Sequence, residues 1–314
     1  MFQEAMKIQF VIPIYNEQDC LPEMIQRLQS LAVTMGSDVN LEFIFVNDGS
    51  RDRTLPFLLE FAEKYDNIQV IDLARNFGHQ LALSAGLDQA DADFVIIIDG
   101  DLQDPPEALI PMLKLAQEGA DIVYGQRSER VGESHFKKLT AHLFYRLIVK
   151  LCNVDIPRDT GDFRLINRKV LLAFKGFKER HRFIRGMVPW LGFKSVAYTY
   201  KRDVRYAGET KFPFRKMLSF ALDAIFSFSN SPLRLATYVG LFLVACGFAL
   251  ATYMMYLKLF LNTPAPGITT ILLVLFFLGG FQILMLGLIG EYIGRIFEEV
   301  KGRPLYVINH IYKK

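Results

Sequence analysis

The sequence predicts an α/β protein whose mainly parallel sheet is followed by an apolar helical hairpin. Three observations carry this. Short β-branched runs alternate with amphipathic helical stretches before residue 130, a polar loop follows each run, and charge almost vanishes between residues 235 and 290. The chain has 314 residues, 51% of them hydrophobic and 22% charged, enough for about two domains that each bury a core.

Strands are expected at Ile8 to Ile14, Leu41 to Asn47, Ile68 to Leu73, Phe94 to Asp99 and Asp121 to Gly125. Helices fill the gaps near 18–33, 53–65, 79–90 and 105–118. Repeated strand–helix–strand units give a parallel sheet covered on both faces. Downstream, Leu235 to Leu261 and Ile268 to Gly290 hold one charged residue between them, Lys258. At 1.5 Å rise per residue, either run covers the roughly 30 Å hydrocarbon layer. A buried hairpin in a soluble core is the alternative. The short turn Asn262 to Gly267 carries no charge, whereas Arg215, Lys216 and Arg234 precede the hairpin and Arg295, Lys301, Arg303, Lys313 and Lys314 follow it. The positive-inside rule then puts both flanks, and with them the N-terminal part, in the cytoplasm.

Two basic amphipathic segments, 135–151 and 212–228, read as interfacial helices, with packing on a soluble core as the competing explanation. The expected division is a cytoplasmic catalytic domain at 1–211, an interfacial helix at 212–234, two membrane helices within 235–290 (235–261 and 268–290), and a cytoplasmic tail at 291–314. This makes a multi-pass protein of the cytoplasmic (inner or plasma) membrane. No signal peptide is visible, since the first apolar stretch runs straight into Pro13, Tyr15, Asn16 and Glu17.

Composition and motifs exclude several classes. A net charge of +3, with no basic run interleaved with aromatics, argues against nucleic acid as a partner. Cys20, Cys152 and Cys246 form no C-x-x-C pair. Neither G-x-G-x-x-G nor G-x-x-x-x-G-K-[ST] occurs, and H-E-x-x-H and G-x-S-x-G are also missing, which disfavours dehydrogenases, P-loop ATPases, zinc proteases and serine hydrolases.

Ligands of parallel sheets sit beyond the carboxyl ends of the strands. The loops there are Pro13-Ile-Tyr-Asn-Glu17, Asn47-Asp-Gly-Ser50, Arg75-Asn-Phe-Gly78 and Asp99-Gly-Asp-Leu-Gln-Asp-Pro-Pro106. Asp99 and Asp101 flank a glycine at a strand end, and ionised carboxylates crowded there repel each other unless a cation such as Mg²⁺ or Mn²⁺ intervenes. Diphosphate oxygens would complete its shell. Asp104 reads as a cap for the helix opened by Pro105 and Pro106. Asp48 fits turn chemistry as well as a pocket wall, and Tyr15 and Glu17 could close a core or hold a base and ribose.

These residues resemble a family. Val11-Ile-Pro-Ile-Tyr-Asn-Glu17, Val46-Asn-Asp-Gly-Ser50, Asp99 to Pro106 and Thr160-Gly-Asp-Phe-Arg-Leu165, in that order, resemble the family-2 glycosyltransferases with a GT-A (Rossmann-like, nucleotide-diphosphate-binding) fold. More narrowly they resemble the polyisoprenyl-phosphate glycosyltransferases: dolichol-phosphate mannose synthases and, given the two-helix tail, bacterial bactoprenol glucosyltransferases. The resemblance implies that Pro13, Tyr15, Glu17 and Asp48 line the nucleoside pocket, that Asp99 sits by the ribose and sugar, and that Asp101 and Gln103 hold Mg²⁺ or Mn²⁺. It further implies that Arg127, Arg205 and Lys211 face phosphates. Lys137 and Arg164 join Arg127 as candidates for a lipid phosphate. Asp162 would be a base or an acceptor-orienting group, or else an Asp paired with Arg164 or Arg158. Ala207-Gly-Glu-Thr-Lys-Phe212 departs from the more usual Gly-x-Ser-Lys-Tyr.

The implied activity is inverting, metal-dependent transfer of a hexose from a nucleotide sugar, UDP-glucose first, to a polyprenyl phosphate such as undecaprenyl phosphate, for cell-envelope glycan modification. GDP-mannose and a modified UDP-arabinose are the alternative donors. A processive polysaccharide synthase needs a wider channel and usually a Gln-x-x-Arg-Trp stretch, which does not precede Trp190, the single tryptophan. A membrane-anchored sugar-nucleotide sensor would need only the pocket. Gly279, Gly280, Gly287, Gly290 and Gly294 leave homo-oligomer contacts and packing within the hairpin equally open.

Overall fold

The computed structural model describes residues 5–128, 160–201, 231–261 and 267–314. The segments 135–151 and 212–228, with Lys137, Arg205 and Lys211, lie outside them.

Strand β1 (Met6–Ile14) leads through α1 (Leu21–Met35) to β2 (Val39–Asn47), then α2 (Thr54–Lys64), β3 (Ile68–Leu73), α3 (His79–Gln89) and β4 (Phe94–Ile97). A 3₁₀ turn (Pro106–Ala108) enters α4 (Leu109–Gln117), followed by β5 (Ile122–Arg127). Next come β6 (Thr160–Asn167), α5 (Arg168–Lys175), α6 (Ile184–Trp190) and β7 (Ser195–Tyr200). The chain closes with α7 (Ser231–Leu261), α8 (Ile268–Lys301) and β8 (Ile308–Lys313). The expected strands are all present. β4 stops at Ile97 because the chain turns toward Asp99 and Gly100.

Among the described residues the strands form one sheet in the order β7-β5-β6-β4-β1-β2-β3-β8. β1 pairs in parallel with β2 and β4, β2 with β3, and β5 with β7, while β6 and β8 run antiparallel to their neighbours. Chain order reverses at β1, so the crevice beyond the ends of β1 and β4 is the switch point where such sheets bind ligands. Burial explains why these strands read as continuous apolar runs. Ile8, Phe10, Ile12, Phe43 and Phe45 face the α1 and α2 side of the core. Val11 and Val46 meet α3 at Gly86.

Gly86 sets that contact. A Cβ there would lie 2.3 Å from Val11 Cγ1 and 3.0 Å from Val46 Cγ2, so a missing side chain lets α3 lie close on the sheet and brings His79, its first residue, to the switch point.

Three strands went unread in the sequence. β6 carries Thr160 to Leu165 on an antiparallel strand, β7 pairs in parallel with β5 at one edge of the sheet, and β8 comes from the expected tail. In that tail α8 continues past Gly290 to Lys301 and ends on Gly302, whose φ of 59° is the left-handed helix stop. Six residues later, at Ile308, the chain pairs with β3; on the way Tyr306 Oη donates to Asp88 of α3 (2.8 Å), and within β8 Asn309 Nδ2 donates to Asp72 (2.8 Å).

The α7–α8 hairpin forms a compact unit of its own, and residues 304–314 belong to the unit of the sheet. Pro232–Leu257 and Val274–Lys301 are long and apolar enough to cross a membrane, and Leu241, Phe242, Phe248, Phe276 and Ile283 are exposed along them. A soluble core hairpin would bury these side chains, so their exposure argues for a lipid environment. The described residues hold two such helices, one hairpin, rather than a larger multi-pass bundle.

Gly86→Ala is expected to destabilise the protein by about 1–3 kcal/mol through overpacking against β1. Chemical denaturation of the purified protein checks this; an unchanged midpoint would contradict the packing.

Candidate functional site

Beyond β1, Asn16 adopts φ 52°, and beyond β4, Leu102 adopts φ 59°; both are rare for residues with a side chain and occur in the loops expected to bind ligand. The β1 and β2 loops are knitted together. Asn16 N donates to Ser50 Oγ (3.0 Å), Arg51 N to Asn16 Oδ1 (2.8 Å) and Glu17 N to Thr54 Oγ1 (3.1 Å). Pro13 is buried opposite Val46, and Tyr15 and Glu17 are half-buried at the crevice.

Asp48 performs the turn chemistry its sequence allowed. Its buried carboxylate accepts from the backbone N–H groups of Phe77 (2.7 Å) and Gly78 (2.9 Å), which fixes the entrance to α3. Burial raises its pKa, and those N–H groups offset part of the rise. Gly49 allows the approach: its φ is +63° and a Cβ would lie 2.5 Å from the Arg75 and Asn76 backbone.

Beyond β4, Asp101 Oδ1 accepts from Gln103 N (3.2 Å), a turn that places the two expected metal ligands together. Asp104 receives the Tyr200 hydroxyl, linking this loop to β7. Arg127, at the end of β5, hydrogen-bonds Tyr200 and lies beside Gly161, and its buried Nε has no hydrogen-bond partner among the described residues.

The least expected feature is a charge cluster centred on Asp162. This residue is 2% exposed. It accepts from Arg185 Nε (3.3 Å) and Nη2 (3.0 Å) and from Gln80 Nε2 (3.2 Å), while His79 Nε2 stands 3.3 Å from it and 3.4 Å from Asp99. Burial opposes its charge, but Arg185, then His79 and Arg164, hold the carboxyl well below the usual range. Burial likewise opposes charge on His79, yet Asp99 and Asp162 outweigh it and raise the imidazole to about 9. At Asp99, burial raises the pKa, His79 pulls it back, and Asp162 and Asp101 push it up again.

Arg164 shares the strand face of Asp162, but its guanidinium is not turned to an open cleft. It is 3% exposed and donates to the carbonyls of Gly161 (3.1 Å), Asp162 (3.2 Å) and Ile184 (3.4 Å). Asp162 therefore pairs with Arg185 rather than with Arg164 through a direct side-chain bridge. The structure thus brings Pro13, Tyr15, Glu17, Asp48, Asp99, Asp101, Gln103 and Arg127 to the carboxyl ends of their strands, and Asp162, near the start of antiparallel β6, to the same edge of the sheet. It adds His79, Gln80 and Arg185. The loop Arg75 to Gly78 was legible as a ligand loop, and His79 is the next residue, but no local motif marks Arg185.

Asp101 and Gln103 offer hard oxygen ligands, which suit Mg²⁺ or Mn²⁺, and the acids around Asp99 make a cation favourable there. Among the described residues no group of three or more His, Cys, Asp or Glu side chains forms a metal cage. The residues fit a cation only as a partial shell, to be completed by substrate oxygens.

Residues 9–173 match Glycosyl transferase family 2, and residues 231–296 match the GtrB C-terminal hairpin. The chain belongs to glycosyl transferase family 2. Its mainly parallel α/β sheet with a C-terminal apolar hairpin is the architecture its motifs implied. YkcC of Bacillus subtilis (strain 168), an uncharacterized glycosyltransferase, is 45% identical over 96% of this chain and 93% of its own length. The bactoprenol glucosyl transferase of Shigella phage SfII is 39% identical over 96% of this chain and 97% of that protein. The prophage bactoprenol glucosyl transferase homolog of Escherichia coli (strain K12) is 38% identical over 98% and 100%.

The folded-state pKa of His79, about 9, lies above its unfolded value of 6.5. Its stabilisation is therefore complete below pH 6.5 and lost as pH rises through 9. His79→Gln is expected to lower the melting temperature most near pH 6 and least near pH 9.5. Melting curves at both values check this; a gap independent of pH would contradict the pairing.

Proposed function

We propose that the protein is an inverting glycosyltransferase that moves a hexose, glucose from UDP-glucose, onto a polyprenyl monophosphate at the cytoplasmic membrane face. The observation that carries the reading is likeness along the whole chain, hairpin included, to proteins named bactoprenol glucosyl transferases, together with acids and bases gathered at the sheet's switch point. GDP-mannose and a modified UDP-arabinose are the alternative donors, since a few pocket contacts decide between them.

In this reading Pro13, Tyr15, Glu17 and Asp48 shape the nucleoside pocket and Asp99 faces the ribose and sugar. Asp101 and Gln103 would hold Mg²⁺ or Mn²⁺, which when bound offsets the charge of the departing diphosphate. Arg127 faces phosphate, as would Lys137, Arg205 and Lys211, assigned by sequence. Arg164, committed to backbone carbonyls, supports the start of β6 that carries Asp162 instead.

The acceptor needs no strong base. The second pKa of a phosphate monoester is about 6, so its oxygen is largely a dianion at neutral pH. That oxygen forms the new bond to the anomeric carbon as the bond to the nucleoside diphosphate breaks, with the electron pair leaving on the diphosphate. A single displacement inverts the centre and gives a β-linked lipid-phosphate sugar. Of the two roles open to Asp162, orientation fits better than proton abstraction, because its carboxylate is buried and spent on Arg185, Gln80 and His79. The protein's task is to align two phosphates on one carbon. The two spans among the described residues do not enclose a growing polymer, which counts against a processive synthase.

Purified full-length protein, incubated with a panel of nucleotide sugars and undecaprenyl or dolichyl phosphate, is expected to make an organic-extractable lipid-linked sugar from UDP-glucose and a divalent cation. Binding without transfer would favour a sensor. Asp101→Ala is expected to lose metal-dependent transfer while staying folded and membrane-bound; unchanged turnover would refute the metal assignment.

A further inference from the structure

Asp162 presents an energetic puzzle. A carboxylate this buried costs several kcal/mol in desolvation, repaid only by good pairing and hydrogen bonding. Its partners are asymmetric in exposure: Asp162 is 2% exposed, while the side chains of Arg185 and His79 are 25% and 42% exposed. The anion is sealed inside, and its donors reach the surface next to Asp99, from which His79 Nε2 is 3.4 Å away.

Those donors are fixed from several sides. Asp48 holds the Phe77 and Gly78 amides immediately before His79. Gln80 bridges α3 and α6, donating to Asp162 (3.2 Å) and accepting from Ile184 N (2.9 Å), the residue before Arg185. Arg164 ties β6 to the start of α6 by bonding Asp162 O and Ile184 O. A rigid shelf of this kind is what a directed anion contact needs, because little side-chain entropy is left to lose on binding.

We propose that His79 and Arg185, held on Asp162, seat the phosphate of the acceptor lipid beside the sugar-binding residue Asp99. The proposal rests on the reading of the acceptor as a polyprenyl monophosphate. The shared chemistry is a phosphate oxygen receiving charge-assisted hydrogen bonds, and the donor's diphosphate is the other source that could meet it. Arg164 cannot take this place, since its guanidinium serves three carbonyls. His79 and Arg185 thus contact the phosphate directly, and Asp162, which acts through them, is the positioning residue.

The test uses full-length protein in lipid nanodiscs and two equilibrium titrations independent of turnover: undecaprenyl phosphate with UDP present, and UDP alone. His79→Gln and Arg185→Lys are compared with wild type alongside the KM for undecaprenyl phosphate. Each is expected to weaken lipid-phosphate binding and raise that KM by about tenfold or more, the scale of one lost charge-assisted hydrogen bond, with UDP affinity within about twofold. Arg185→Gln alone strands the buried Asp162 charge and is prone to misfold. The pair Asp162→Asn with Arg185→Gln removes both charges and is expected to melt near wild type yet lose the lipid phosphate.

A double variant that keeps wild-type lipid-phosphate affinity would overturn the proposal. So would variants that lose UDP but not the lipid, which would assign the shelf to the donor. Wild type that binds the lipid phosphate but transfers no sugar would sink the enzymatic reading while leaving this seat standing. Wild type that binds no lipid phosphate would sink both.

Discussion

Like charges cannot be packed at the end of a sheet unless something holds them there. Asp99, Asp101 and Asp162 converge where β4 and β6 meet their loops, and the structure counters them with His79 and Arg185 rather than by moving them apart. Much of the local architecture serves this balance. Gly86 lets α3 come close enough to deliver His79, Asp48 pins the α3 entrance, Gln80 ties α3 to α6, and Arg164 secures the backbone that presents Asp162. In the proposed reading, the Asp101 side of the corner is where a cation and a diphosphate would meet, their charges opposite in sense.

Much of the fold was legible because its signals are local. β1 to β4 are buried parallel strands whose sequences are nearly continuous apolar runs, with helical periodicity between them, and that pattern follows from burial on both faces. The loops that follow were legible for the same reason, since ligand loops sit at strand ends. β8 was not. Ile308 to Lys313 sets Asn309 beside His310 and Ile311 beside Tyr312, without the strict alternation of a half-buried strand, and it is far in sequence from β3, so nothing local announces the partner. β6 was recognised as a motif but not as a strand.

Within the site, legibility divided along the same line. Asp99, Asp101 and Gln103 lie on one loop and could be read together. His79, Asp99, Asp162 and Arg185 meet only through the tertiary fold, so Asp162 was singled out while its main partner was missed. Asp162 was read as a base or an acceptor-orienting group, or as a partner of Arg164, and Arg164 as a lipid-phosphate candidate, but the strand that puts both on one face was not seen. That same face is buried, and burial turned Arg164 into a support for backbone carbonyls and left the surface role to Arg185.

The most direct measurement is Mn²⁺ binding followed by electron paramagnetic resonance, with and without saturating UDP. A shell that the protein only half supplies should bind Mn²⁺ weakly alone and markedly more tightly with UDP, with UDP affinity rising by the same factor when Mn²⁺ is present, as linkage requires. Mn²⁺ affinity indifferent to UDP, or UDP affinity unchanged by removal of divalent ions, would contradict the account.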